Sequence, residues 1–557
     1  GKSNFERGQH GFIGAGKNNS ISGYNHFEGV IVGGCCNTIS GAYCKQSFIG
    51  GGCQNLIGNA HNAVIVGGTL NTSSASCSFI GGGACNIVGG LGSVIAGGLT
   101  NVTIGNVSSI GGGQLNCIPG IASTIGGGYN NTSSGNFATI AGGCENCTQL
   151  NFSSIGGGAR NCVDGLAGTV AGGVANYTIG CSFIGGGVTN TASAVYATIG
   201  GGLNNCISGQ YSVIAGGNCN LTDSCLSFVG GGDRNYADGI ASVIAGGVTN
   251  FAAGCSVVGG GIENTASGLV ATIAGGQRNT ASANYSTIGG GFQNSNSGYM
   301  ATIAGGRNNT TTIVCSFIGG GYNNCIIGDP AQLSTRSVDV IVGGSNNKIC
   351  GCCNTNNNSI LGGNQNIICA SYSSGNNILG GNQNIIGGSF RSYSIIGNGF
   401  SNCISSGACN GILGGANNTL CDSNSFIIGS NISSTTACYT FMNNACVLGT
   451  TRTISLVETS AKKYKECIIP LSTQLENVKS LNPVQFTWKE DGREDYGFIA
   501  EDVEKVLPKL VAYEEDGEIS GVQYSKITSV LVKALQEQQE QIEELKKAVF
   551  ILKQQKQ

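Results

Sequence analysis

Charge is scarce in this chain. Only 10% of its 557 residues are Asp, Glu, Lys or Arg, and the first 450 carry just 11 acidic and 11 basic side chains. That balance excludes a phosphate-reading surface, which needs clustered Lys and Arg. It also excludes a calcium-binding nonapeptide roll, which needs a carboxylate in each turn. Proline is nearly absent, at 5 residues, so the abundant glycine is not that of collagen. No run of about 18 apolar residues occurs, and no transmembrane helix is expected. Histidine occurs three times, at His10, His26 and His61, and the unequal spacings form no ligand set. The chain has no initiator Met and opens inside a repeat; a fragment or processed form, with its N-terminal anchor before Gly1, is the expectation.

What is present is glycine, 93 of the first 450 residues, set in a strict rhythm. An Ile or Val heads a Gly-rich step at 27 places, from Ile13 to Ile427. Between Ile65 and Ile318 there are seventeen intervals, fifteen of 15 residues and two of 14. Six residues after the anchor stands an Asn in 25 of the 27 units; those at Ile395 and Ile427 lack it. The period is too short for a helical hairpin or a propeller blade and fits one coil of a parallel β-solenoid. In Ser93–Ala96, Ile95 is expected to point inward and Ser or Thr outward. The Gly pair after the anchor supplies a turn with φ > 0 or a close backbone approach. The Asn is assigned a left-handed conformation and a stacked hydrogen-bonded ladder, and a second Gly, such as Gly135 or Gly165, marks the opposite turn. A 30-residue coil is excluded because the alternation of I-G-G-G with I-A-G-G slips at Ile110/Ile125 and Ile184/Ile199. At about 4.8 Å per coil the stack reaches about 130 Å.

Cysteine numbers 27, with 26 in the repeat. Cys147 and Cys162 share a column on adjacent coils, as would suit a disulfide, but a small stackable residue in place of Ala, Ser or Val is the simpler reading. Cys144-x-x-Cys147 and Cys350-x-Cys352-Cys353 lack a partnered second pair at zinc-ligand spacing, so no metal is expected. So much cysteine fits assembly in a reducing cytosol. The sequons at Asn71, Asn101, Asn131 and Asn176 fall in the Asn column and are read as by-products of a polar repeat. Asp233 and Asp238 could form a glycosidase pair but read better as isolated turn residues.

The last 107 residues are a different polymer, with 15 basic and 18 acidic residues and the only Trp. The expected organisation is a solenoid shaft over 1–450 and a small α+β domain over 451–557. Leu531, Leu545 and Leu552, and Leu535, Ile542 and Val549, recur at heptad spacing, so 524–554 is expected to be a coiled-coil helix. The motifs Leu481-Asn-Pro-Val-x-Phe-x-Trp488, Tyr496-Gly-Phe-Ile-Ala-Glu-Asp-Val503 with Leu507-Pro508, and Val522-x-Tyr-Ser-Lys526 stand in order. In these the tail resembles the C-terminal intramolecular chaperone domain of phage tail spikes and fibres of the endosialidase type.

That resemblance implies a homotrimer whose tail registers three chains and then cuts itself off through a Ser and a Lys five residues apart. Ser460 and Lys465 match the spacing, and the implied cut is Thr459–Ser460. Where the family usually has Asp after the Ser and Asn two after the Lys, this chain has Ala461 and Cys467. The repeat is itself similar, in period and Gly/Asn/Ser pattern, to the left-handed β-roll heads of trimeric YadA-type adhesins. Together these imply an all-β, trimeric fibre or spike on a virion surface, attaching to a host glycan or protein receptor, with no cofactor, nucleic acid or membrane insertion. The alternatives are a bacterial cell-surface or prophage-derived adhesin and, third, a polysaccharide-degrading spike.

Overall fold

Each coil is made of two strands of two residues and a third paired position between them. In a computed structural model that describes residues 1–7, 9–23, 28–42, 44–328, 338–351, 357–371, 375–389, 393–434, 436–443, 460–489, 492–514 and 516–556, these positions stack into three parallel ladders. Val94–Ile95 pairs with Phe79–Ile80 below and Ser109–Ile110 above. Leu99 bridges Ala84 and Gln114, and Val102–Thr103 pairs with Ile87–Val88 and Cys117–Ile118. The ladder containing Val102–Thr103 has 27 strands, from Phe5–Glu6 to Thr419–Leu420. The other runs from Phe12–Ile13 to Thr440–Met442. This is the parallel β-solenoid that the 15-residue period predicts.

Between the walls lies a core one side chain wide per coil. Ile80, Ile95, Ile110 and Ile125 are fully buried, and they continue as one cluster from Ile21 to Ile427. Burying each such side chain stabilises by roughly 1.5–3 kcal/mol. No single coil can bury its anchor alone, so stability comes from stacking.

The interior differs from the sequence expectation in four places. First, the Ser two residues before the anchor faces inward: Ser93 and Ser123 are buried, whereas Thr124 and Thr139 point out. Ser93 Oγ donates to Gly105 O at 2.8 Å and accepts from Ser108 N at 3.0 Å, so the small hydroxyl satisfies backbone groups at the corner.

Second, the stacked Asn is not left-handed; the residue before it is, as at Thr100 (φ 56), Leu115 (φ 61) and Asn130 (φ 52). Third, Gly135 is not left-handed either. A Cβ there would lie 2.0 Å from Leu150 O, so close approach selects glycine, while Phe137 (φ 57) makes the turn. Fourth, the anchor of the irregular unit is Ile396, not Ile395: Ile396 is fully buried, and Asn402 six residues on joins the Asn column.

The chain divides into two compact units, 1–446 and 447–557, and the expected boundary at 450 lies outside the described residues. The second unit contains α1 (Leu475–Ser480), α2 (Ala500–Val506) and α3 (Tyr524–Gln555), with two antiparallel hairpins. One pairs Val484–Thr487 with Glu494–Gly497 and the other Val511–Tyr513 with Ile519–Val522. Val503, Leu510, Val511, Ile527 and Val530 form its small core. The first turns of α3 thus pack on their own unit, whereas Leu535, Leu545 and Leu552 farther along are exposed. The Glu537 carboxylate accepts from Gln474 N and Leu475 N at 2.8–3.0 Å and caps α1 from α3. Among the described residues no helix is long and apolar enough to cross a membrane.

Candidate functional site

Ser460 and Lys465 are brought together by a single local turn. Lys462–Tyr464 forms one turn of 3-10 helix, closed by Tyr464 N donating to Ala461 O and Lys465 N to Lys462 O, both at 3.0 Å. The residues on either side of it, Ala461 (φ −65, ψ 143) and Lys465 (φ −130, ψ 139), are extended. Five residues of this shape fold the chain back by one side-chain length, and Lys465 Nζ donates to Ser460 Oγ at 2.7 Å. Both side chains are exposed, on the rim of an open groove of about 670 Å³ lined also by Lys462, Cys467 and Ile468. The carbonyl side of the bond, Thr459, lies outside the described residues.

The arrangement supplies a hydroxyl with an amine in hydrogen-bond contact, the minimum for a Ser nucleophile assisted by a Lys base. A lysine serves as a base only when desolvation favours its neutral form. In the single chain Lys465 stands open to solvent. Ala461 offers no side-chain polar group, and Cys467, exposed and left-handed at φ 53, has its thiol on the groove wall.

The downstream motifs have structural roles. Gly497 lies under Tyr524, whose hydroxyl would be 2.4 Å from a Cβ at that position; the same hydroxyl accepts from Phe498 N at 3.0 Å. Tyr524 thereby ties the second hairpin strand to the start of α3. Trp488 packs edge-on against Phe486 at 5.3 Å and donates Nε1–H to Asp495 at 3.2 Å. That hydrogen bond, with one from Tyr496 N, holds the Asp495 carboxyl below the usual carboxylate range.

The other candidates do not converge. Asp233 accepts from Arg234 at 2.9 Å and Asn218 at 2.7 Å, while Asp238 accepts from Tyr236 at 2.9 Å. The acids that do share a partner are Asp223 and Asp238, both within reach of the Tyr236 hydroxyl, which bonding to carboxylates makes harder to ionise. Their common column, nine residues after the anchor, is the signal that would have found them. Asn71, Asn101, Asn131 and Asn176 are fully buried and bonded in the stack.

Same-column sulfurs do meet: Cys350 and Cys369 are register partners joined by a disulfide. Cys147 and Cys162 are partners without one. A hydrogen bond from Cys162 brings the Cys147 thiol down to about 7, and the same contact pushes Cys162 up. Cys352, Cys353 and His26 lie outside the described residues. Among the described residues no three His, Cys, Asp or Glu side chains gather as a metal site.

No curated protein matches the chain. Against protein families, residues 460–512 match the one described as chaperone of endosialidase. The match begins on Ser460 and takes in Lys465, both hairpin strands around Trp488 and helix α2, and it leaves the solenoid outside.

Proposed function

We propose that the chain is the subunit of a homotrimeric virion fibre or spike. The solenoid is the shaft that presents a surface to a host glycan or protein, and the tail is an intramolecular chaperone that registers three copies and then releases itself. The observation that carries this reading is the 2.7 Å contact between Lys465 and Ser460 at the start of a stretch matching an endosialidase chaperone.

The chemistry follows from that contact. Lys465, once neutral, takes the Ser460 hydroxyl proton as Oγ adds to the Thr459 carbonyl carbon. The Thr459–Ser460 C–N bond breaks, the freed Ser460 nitrogen takes the proton, and water hydrolyses the resulting ester. Both side chains are exposed in one chain, so the desolvation that makes Lys465 a base belongs to the assembled trimer. Cleavage therefore follows assembly.

The test is expression of the full chain with mass spectrometry of the products. The expected result is a solenoid ending at Thr459 and a fragment beginning at Ser460, with Ser460→Ala and Lys465→Ala both uncut yet still trimeric. A wild-type trimer that stays whole would refute self-cleavage and leave the tail a permanent trimerisation cap. A polysaccharide-cutting shaft would reveal itself by releasing products from offered oligosaccharides.

A further inference from the structure

We propose that three copies of the chain pack along one corner of the solenoid, the corner formed by the third and fourth residues before each anchor. This rests on the trimer reading above and names its seam. Between Leu91 and Met300 that corner displays exposed apolar side chains on nearly every coil, among them Ile121, Phe137, Phe152, Tyr211 and Met300. Where aromatics occupy neighbouring coils they stack on one another, Phe137 on Phe152 at 5.3 Å and Tyr196 on Tyr211 at 5.0 Å. A monomer gains little from aligning such rings in water, whereas an apolar strip of this length marks a covered surface.

Charge decides which corner is covered. None of the charged residues between Phe79 and Ile318 stands at these two positions. The opposite corner, four and five residues after the anchor, also has exposed apolar residues such as Leu115 and Leu203. There, however, they are interleaved with Glu145, Arg160, Arg234, Glu263 and Arg278. A seam buried among three copies excludes unpaired charge, and an exposed corner tolerates it.

Coil length agrees. The strip lies wholly within the run of 14- and 15-residue coils, and the first long interval, 23 residues from Ile318 to Ile341, begins beyond its end. A neighbour with the same rise can stay level only along uniform coils. At roughly half exposure per side chain, the strip offers on the order of 1,000 Å² per copy, against about 800 Å² per partner in a standard stable interface. With coils level, each strip lies on the threefold axis and touches the other two.

The experiment places p-benzoylphenylalanine at position 152 or at position 203 of the full chain, sites that are 57% and 43% exposed. Each purified protein is checked for β-structure by circular dichroism, weighed by light scattering against the 56.1 kDa of one chain, and irradiated. The expected result is a threefold mass for both and covalent oligomers from position 152 alone. A threefold mass with no cross-link from 152, or with equal cross-linking from 203, overturns the seam and leaves the trimer standing. A single-chain mass overturns the trimer, and the seam with it.

Discussion

Asn161 accounts for five polar groups at once. Its Nδ2 donates to Gly157 O and Gly173 O at 2.9 Å, and its Oδ1 accepts from Asn176 N and Nδ2 at 3.0 Å. Its own N–H donates to Asn146 Oδ1 at 3.0 Å. Asn161→Ala strands a buried N–H and two glycine carbonyls, at about 1–3 kcal/mol for each group left unpaired. The expected loss is roughly 3–5 kcal/mol, read as accelerated amide exchange in the flanking coils, while the exposed Gln114→Ala stays within about 0.5 kcal/mol of wild type.

Asp339 tests the same logic with charge. It is fully buried, Oδ1 accepts from Asn358 N and Nδ2 at 3.0–3.1 Å, and Oδ2 has no partner. Burial pushes its carboxyl up to about 6. The folded state then binds the proton more tightly than the unfolded state. The stability from this group is complete below about pH 4 and is lost as pH rises through 6. Asp339→Asn, neutral throughout, is expected to match wild type near pH 4. Near pH 8 it should exceed wild type by about 2–3 kcal/mol in thermal or denaturant melts.

At the level of the coil, glycine does two separable jobs. Gly158 is left-handed at φ 88, and a Cβ there would sit 2.0 Å from Gly173 O. At Gly172, in the glycine pair one coil on, an added Cβ would meet nothing within 4 Å, and the backbone is not left-handed. Gly158→Ala is therefore expected to break the stack locally, with loss of soluble protein or a large drop in melting temperature. Gly172→Ala should be neutral or stabilise by about 0.4–1 kcal/mol through the unfolded chain. Equal damage from both would refute the close-approach account. The non-glycine left-handed residues, Thr100 and Val107 among them, each cost about 1–2 kcal/mol. Cross-coil hydrogen bonds such as Thr100 N to Ala84 O and Val107 N to Leu91 O offset that strain.

For the whole solenoid, nearest-neighbour stacking makes the coil the unit of tolerance. Deleting residues 141–155 joins Ile140 to Gly156 and restores every column, since each lost position is replaced by its equivalent one coil later. Soluble protein with the wild-type circular dichroism spectrum is expected. Deleting residues 141–147 instead sets the Asn column against another part of the coil, and aggregation is expected. Solubility of the second variant with intact β-structure would contradict a stack held by column identity.

The period, the inward anchor and the Asn column were legible in the sequence because each recurs once per coil, and recurrence alone puts residues such as Asn101 and Asn116 in contact. The Ser460–Lys465 pair was legible because both residues lie in one turn. Recurrence does not say how a column is rotated about the coil. That rotation turns Ser93 inward, gives the left-handed twist to Thr100 rather than Asn101, and moves the anchor to Ile396. It is decided by hydrogen bonds between coils, which no stretch of chain makes with itself. For the same reason the meeting of Asp223 and Asp238 at Tyr236, and the uncharged corner from Leu91 to Met300, emerge only when the coils are stacked.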